Sequence, residues 1–284
     1  MYSAEKYQAL FSEQPGPEGI LHEGVHRYRV KRIQAGDTLE IEAFPIWDTA
    51  ASATEARKQS EKHREAVRAV NLRNTQKNLR RLMNANFGRG DILLTLTYTP
   101  SQQPGSEQDA QKDIRNYLRR LRNRRKKLGL PELKYIYITE TTHGAMGTRY
   151  HHHLIVNGGI DRDEIEGIWA KGIANSRAAQ PDAFALSGWA HYMSKQKINQ
   201  EKAYTRGYAH SKNLKQPKVT YADHKISRRA MQQISQDMQT RGTEILEKLY
   251  PGYQMAEAPQ VRVSEYVPGG YLLARMIRRK TNKG

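Results

Sequence analysis

Runs of alternating or continuous apolar residues predict a series of β-strands along the chain. Residues 26–33 and 38–44 alternate apolar and polar positions on either side of Ala35, Gly36 and Asp37, which supply turn chemistry. The two segments therefore predict a hairpin. Residues 91–98 form a short apolar run that is typical of a buried strand.

Helical spacing of apolar residues predicts the other elements. Residues 54–86 are rich in helix formers, and residues 107–128 carry one apolar stripe formed by Ile114, Tyr117 and Leu121. Two strands, two helices and a C-terminal group complete the prediction. They are strands at 133–140 and 149–156, helices starting near 161 and 187, a long helix at 227–249, a strand at 261–267 and a basic helix or tail at 270–283.

The order strand, helix, strand, strand between residues 92 and 156 predicts an α+β fold in which helices pack on an antiparallel-rich sheet. Three parts are expected. They are an N-terminal hairpin with a basic helical extension (1–88), a core (89–217) and a C-terminal helical extension (218–284).

Three consecutive histidines, His151 to His153, lead into the apolar run Leu154-Ile155-Val156. Alternate side chains of a strand point to the same face, so His151 and His153 face one way and His152 the other. The preceding strand ends on Glu140. Residues 141–148, which contain two glycines, predict a hairpin loop that brings Glu140 back beside His151.

Two imidazoles and a carboxylate on neighbouring strands suit a divalent cation that accepts oxygen and nitrogen ligands. Glu140, His151 and His153 are therefore the candidate metal ligands. A histidine on an apolar strand is more often an ordinary core residue, but burying this much imidazole without a ligand would leave donors unpaired. Structural zinc is less attractive because the chain has no cysteine.

The net charge of +18 on 284 residues points to a polyanionic partner, of which nucleic acid is the obvious one. Five basic residues on the helix at 107–128, on the histidine strand and in the polar loop at 211–217 are candidates for phosphate contacts, although such residues also occur on ordinary solvated faces. They are Arg119, Arg122, Arg149, Lys212 and Lys215.

No apolar run is long enough to cross a membrane, and the first residues lack a secretory pattern. The absence of cysteine fits a reducing compartment. We therefore expect a cytoplasmic protein that does not engage membranes.

Tyr192 and Lys195 lie three residues apart in the helix that starts near residue 187, so they share a face. A phenol oxygen can attack phosphorus when a cation or base assists it, because its free pKa is near 10. Tyr192 is the candidate nucleophile, and Lys195 is the candidate to stabilise the phenolate or the scissile phosphate. The product would be a phosphotyrosine linkage, which keeps the energy of the cleaved bond, so rejoining would need no ATP.

The segments Leu94-Thr95-Leu96-Thr97-Tyr98, His151 to Val156 and Tyr192-Met193-Ser194-Lys195 resemble, in order and spacing, the motifs of the HUH endonuclease superfamily. The resemblance is closest to its rolling-circle replication initiators from small plasmids and single-stranded DNA phages. It implies nicking of single-stranded or hairpin origin DNA with Mg²⁺ or Mn²⁺. The tyrosine would be left on the 5′ phosphate and a free 3′ hydroxyl would prime replication. The implied fold is a central antiparallel sheet with helices on both faces.

Two features depart from the family pattern. His152 occupies a position that is usually bulky and apolar, and the third motif holds a single tyrosine, which favours a one-tyrosine mechanism. Tyr204 and Tyr208 are candidates for a second nucleophile. The sequence has no Gly-rich phosphate loop, so host helicase and polymerase are expected partners. A non-catalytic nucleic-acid-binding protein and a relaxase- or transposase-like enzyme of a mobile element remain alternatives.

Overall fold

The computed structural model describes residues 25–47, 60–144, 147–198, 207–263 and 269–280. The chain divides into two compact units. The histidine unit is Gln76–Lys215, and the flank unit is formed by described residues from both sides of it. The boundary falls within the first helix. Among the described residues, no helix has the length and apolar character needed to cross a membrane.

The described strands and helices follow one another in a mixed α and β order. In chain order they are β1 (Val25–Ala35), β2 (Thr38–Trp47), α1 (Ser60–Asn86), β3 (Ile92–Tyr98), α2 (Glu107–Lys127), β4 (Tyr135–Gly144), β5 (Gly147–Val156), α3 (Arg162–Gly167), β6 (Gly172–Ala178), α4 (Ser187–Ile198), β7 (Ala209–His210), β8 (Lys218–Asp223), α5 (Arg228–Gln236), α6 (Arg241–Leu249), β9 (Tyr253–Met255), β10 (Gln260–Val263) and β11 (Gly270–Arg278).

The histidine unit contains a five-stranded antiparallel sheet in the order β6-β3-β5-β4-β7. The apolar stripe of α2, including Ile114 and Leu121, packs with Leu94 and Leu154 on one face of this sheet. The end of α1 and the helix α4 pack on the other face, where Met193 joins the core that contains Ile155. The prediction of an α+β fold with an antiparallel sheet is therefore confirmed.

Two details of this sheet differ from the sequence prediction. Residues 141–148, expected to form a loop, largely extend the hairpin, because β4 and β5 pair as far as Gly144 and Gly147. The edge strand β6 was not predicted. It is polar and mostly exposed, and only its pairing with β3 reveals it.

The flank unit has its own antiparallel sheet, in the order β10-β11-β2-β1-β8, with β9 paired to β11. The predicted hairpin of residues 26–33 and 38–44 is present as β1 and β2. Ile234 of α5 and Leu246 of α6 pack with Val30 and Ile41 of this sheet in one core.

The segments on both sides of the histidine unit thus contribute strands to one sheet, which differs from the separate helical extensions expected from the sequence. Residues 270–283 were expected to be a basic helix or tail, but β11 lies between β10 and β2. An interior strand is covered on both faces, so its residues 271–274 are all buried and show no alternation.

The helix predicted at 227–249 is interrupted. Asp237 ends the regular part of α5, and its carboxylate accepts hydrogen bonds from the backbone N–H groups of Thr240 and Arg241 at 2.9 and 3.2 Å. A carboxylate in this position satisfies the free N–H groups of a new helix, so α6 starts here.

Candidate functional site

The three histidines of β5 divide between the two faces of the sheet, as strand alternation predicts. His152 is fully buried on the α2 face. Its Nδ1 lies 2.9 Å from Thr139 Oγ1 and its Nε2 lies 2.9 Å from the Tyr98 hydroxyl. Both ring nitrogens are used, and the ring packs edge-on against Trp169.

Burial, with smaller repulsive contributions from the neighbouring histidines, lowers the pKa of His152 to about 3. The ring is neutral, with one nitrogen donating and one accepting, and hydroxyl partners can serve either role. His152 is therefore a satisfied core residue, and its two nitrogens are not available to a ligand.

His151 and His153 face the α4 side, where each is held by a threonine of β3. Thr97 Oγ1 lies 3.3 Å from Nδ1 of His151, and Thr95 Oγ1 lies 3.2 Å from Nδ1 of His153. The strand register places each threonine directly opposite its histidine. Because Nδ1 is engaged in both rings, Nε2 is the nitrogen that each ring presents to a ligand.

Glu140 lies on β4 directly opposite His151 in the register, as the sequence predicts. Its Oε2 lies 2.9 Å from Nε2 of His153, and both side chains are buried. A buried carboxylate needs such a partner. Burial lowers the pKa of His151; Glu140 opposes this shift, and His153 and Arg149 add to it.

Tyr192 lies on α4, over the same face of the sheet. Its ring centroid is 5.3 Å from that of His153, at an interplanar angle of 83°. The side chain is 43% exposed, so the phenol is accessible from solvent. The structure thus brings Tyr192, His153, His151 and Glu140 together on one face.

Three other candidates give a mixed result. Lys195 lies in α4, one turn after Tyr192, but its side chain lies outside the described residues. Tyr204 also lies outside them. Tyr208 is partly buried against the core beneath α4, and its ring is 6.1 Å from that of His210.

The donor set of the site suits a divalent ion in its chemistry, because it combines two imidazole nitrogens with a carboxylate. Among the described residues, however, no group of three or more His, Cys, Asp or Glu side chains is arranged to hold a metal ion as it stands. Glu140 and His153 bond each other directly. Holding an ion therefore requires that hydrogen bond to open.

The five predicted phosphate contacts are all exposed but do not share one surface. Arg149 precedes His151 by two positions in β5 and lies on its face. Arg119 and Arg122 lie on α2, which covers the opposite face. Lys212 and Lys215 lie in the loop before β8, where the Lys215 backbone bonds the side chain of Asn86.

Arg125 has a structural role that the basic pattern of α2 concealed. Its guanidinium is buried and donates to the backbone carbonyls of Pro131, Asn157 and Gly158 at 2.7 to 3.0 Å. It ties the end of α2 to the turns that follow β5 and precede β4, so its charge is not available to a nucleic acid.

Two residues beside the site were missed by sequence reasoning. Trp189 stacks on Tyr192 with centroids 4.9 Å apart and an interplanar angle of 22°. Arg177, on the unpredicted strand β6, lies over the Trp189 ring at 4.8 Å. The three-residue spacing of Trp189 and Tyr192 on a helix was the available signal for the first residue.

Comparison with known proteins gives one match. Residues 91–197 match a family model described as a replication-associated protein of the ORF2 type. This segment runs from β3 to α4 and includes the histidines, Glu140 and Tyr192. No curated protein and no solved structure matches the chain. The similarity supports a role in DNA replication.

Proposed function

We propose that this protein initiates DNA replication by nicking a specific site in single-stranded or hairpin DNA. Tyr192 is the nucleophile and remains joined to the 5′ phosphate. The observation that carries the proposal is the contact between the accessible Tyr192 ring and His153, which is itself bonded to Glu140. The match of residues 91–197 to a replication-associated family supports the same interpretation.

The reaction exchanges one phosphate ester for another. The Tyr192 oxygen forms a bond to phosphorus as the bond from phosphorus to the 3′ oxygen breaks. The phenol loses its proton, and the departing 3′ oxygen gains one. Because the number of phosphate ester bonds is unchanged, the reverse step rejoins the strand without ATP.

Two imidazoles oriented through Nδ1 and one buried carboxylate would hold a divalent ion, Mg²⁺ or Mn²⁺. His151 and His153 would contribute Nε2, and Glu140 would contribute oxygen after its hydrogen bond to His153 opens. A bound ion supplies polarisation of the phosphodiester and neutralises charge on its oxygens. Thr95 and Thr97 support this role because they fix the orientation of both rings.

Lys195 would assist from the same helix. It lies three residues after Tyr192, which is one turn of α4. A cation at this position favours the phenolate or the charged phosphate in the transition state.

Covalent capture tests the proposal. The full chain is incubated with a pool of single-stranded oligonucleotides and Mn²⁺, and the DNA that becomes covalently attached is sequenced. We expect one or a few related sequences to be joined at the 5′ phosphate, and we expect Tyr192→Phe to abolish the adduct with nearly unchanged binding.

Tyr221→Phe is the matched control, because Tyr221 is also exposed but lies on β8 of the flank unit. It should form adduct at the parent rate. An undiminished adduct with Tyr192→Phe would reassign the nucleophile. Binding without any adduct would instead favour a non-catalytic nucleic-acid-binding protein.

A further inference from the structure

Four side chains are layered on the α4 face of the histidine sheet. The Arg177 guanidinium lies over the Trp189 ring at 4.8 Å, and Trp189 stacks on Tyr192 at 4.9 Å. Tyr192 in turn meets the edge of His153. The proposed nucleophile is therefore connected through ring contacts to a cation on the edge strand.

Arg177 has binding capacity that its own fold does not use. It is exposed, and among the described residues no carboxylate pairs with it. A guanidinium that stacks through its flat face keeps its N–H edge directed away from the ring. That edge can bind a phosphate through two parallel hydrogen bonds.

Trp189 offers a second donor. Its indole Nε1 is buried and has no hydrogen-bond partner in the described part of the chain. The residue is only 9% exposed. A buried donor without a partner costs about 1–3 kcal/mol, and an acceptor brought by a ligand would remove that cost.

The strand register places this pair beside the histidines. In β6, Asn175 lies opposite Thr95, the residue that bonds His153, and Arg177 lies opposite Leu93. Residues two apart in a strand share a face, so Asn175 and Arg177 lie on the side of the sheet that carries Thr95 and His153. Both are exposed there.

We propose that Arg177 and the Trp189 indole N–H form a phosphate subsite, which binds the nucleic-acid backbone next to the phosphodiester that Tyr192 attacks. The subsite rests on the proposed function for the identity of its ligand. Arg177 supplies the bidentate contact, and Trp189 both donates to the phosphate and holds the phenol in its stacked orientation.

Binding can be measured without cleavage in the full-length Tyr192→Phe variant. The probe is a fluorescent single-stranded oligonucleotide of mixed sequence, titrated at several salt concentrations. Adding Arg177→Gln should reduce the slope of log affinity against log salt by about 0.7, the value for one phosphate contact to a single strand. Arg177→Lys should keep most of that slope, because it keeps the charge, and should still bind more weakly because it loses the fork.

Trp189→Phe, in the same background, keeps an aromatic ring for stacking and loses the N–H. We expect a roughly tenfold weaker complex, the loss of one hydrogen bond to a charged group. Thermal unfolding of each variant checks that the fold is intact. Arg115→Gln is the matched control, because Arg115 is an exposed arginine of α2, on the opposite face. It should leave affinity near the parent value.

Unchanged affinity and salt slope in folded Arg177→Gln and Trp189→Phe would overturn the subsite, even if Tyr192 forms adducts. Absence of any adduct in the parent protein would instead overturn the proposed function, while the binding titration would still report on the subsite. The two failures are therefore distinguishable.

Discussion

The two faces of β5 carry the same residue type in opposite roles. On one face, His152 is enclosed by Tyr98 and Thr139, which bond both of its nitrogens. On the other face, threonines bond only Nδ1 of His151 and His153. Three adjacent histidines therefore have different functions because of the neighbours that the strand register supplies.

The comparison also shows how a core and a reactive site share one strand. Hydroxyl groups complete the hydrogen bonding of His152 and allow a polar ring to occupy the α2 core. On the α4 face the same type of contact leaves Nε2 for a ligand and keeps the ring oriented. Substitutions on the two faces should therefore separate stability from activity.

The largest effect is expected from His153→Ala. It removes a proposed metal ligand and the partner of Glu140, so the rate of adduct formation should fall more than about 100-fold and lose its dependence on Mn²⁺. Excess chelator should suppress the parent enzyme to a similar level. The measurement is covalent capture as a function of Mn²⁺ concentration.

The matched control for that variant is His143→Ala, since His143 is an exposed histidine of β4 whose ring nitrogen bonds Thr148 at the end of the hairpin. It should leave the rate near the parent value. Full activity of the parent in excess chelator would contradict the metal assignment.

On the opposite face, His152→Ala should act mainly on stability. It leaves a cavity and unpairs two buried hydroxyls, so we expect a loss of about 2–4 kcal/mol in the free energy of unfolding. Urea denaturation measures this change. At temperatures where the variant is folded, its Mn²⁺ response should persist; a stable variant that has lost that response would reverse the roles assigned to the two faces.

A smaller effect is expected from Thr95→Val, which keeps the shape of the side chain and removes the hydrogen bond to Nδ1 of His153. Loss of such an orienting contact should weaken the Mn²⁺ response about tenfold. Thr139→Val makes the equivalent change on the His152 face. It should lower the melting temperature and leave the Mn²⁺ response unchanged.

The smallest effect distinguishes the basic residues on the two faces. Arg149→Gln, beside His151, should weaken binding of a single-stranded oligonucleotide and reduce its salt slope by about 0.7. Arg119→Gln, on α2, should have less effect on both. Equal effects in a salt titration would show that the nucleic acid contacts both faces.

Local patterns in the sequence were sufficient to place the candidate site. The period of a strand assigned His152 to the opposite face from its neighbours, and the short hairpin placed Glu140 opposite His151. Both inferences depend on residues that are close in sequence, where backbone geometry alone sets the contacts.

Contacts between distant segments were not predictable in the same way. The strand β6 is polar because it lies at a sheet edge, so it lacks the apolar alternation that would reveal it. Arg125 resembles the other arginines of α2, and only the fold shows that it bonds three carbonyl oxygens. The pairing of β2 with β11 joins segments more than 200 residues apart, and composition carries no record of it.

That long-range pairing has a consequence for synthesis on the ribosome. The histidine unit is one continuous stretch of chain and can fold as soon as it emerges. The flank unit must wait for β11, because this strand fills the position between β2 and β10. Until it arrives, β2 presents an open row of backbone donors and acceptors, so a nascent chain or a C-terminal truncation that lacks β11 would be prone to self-association through that edge.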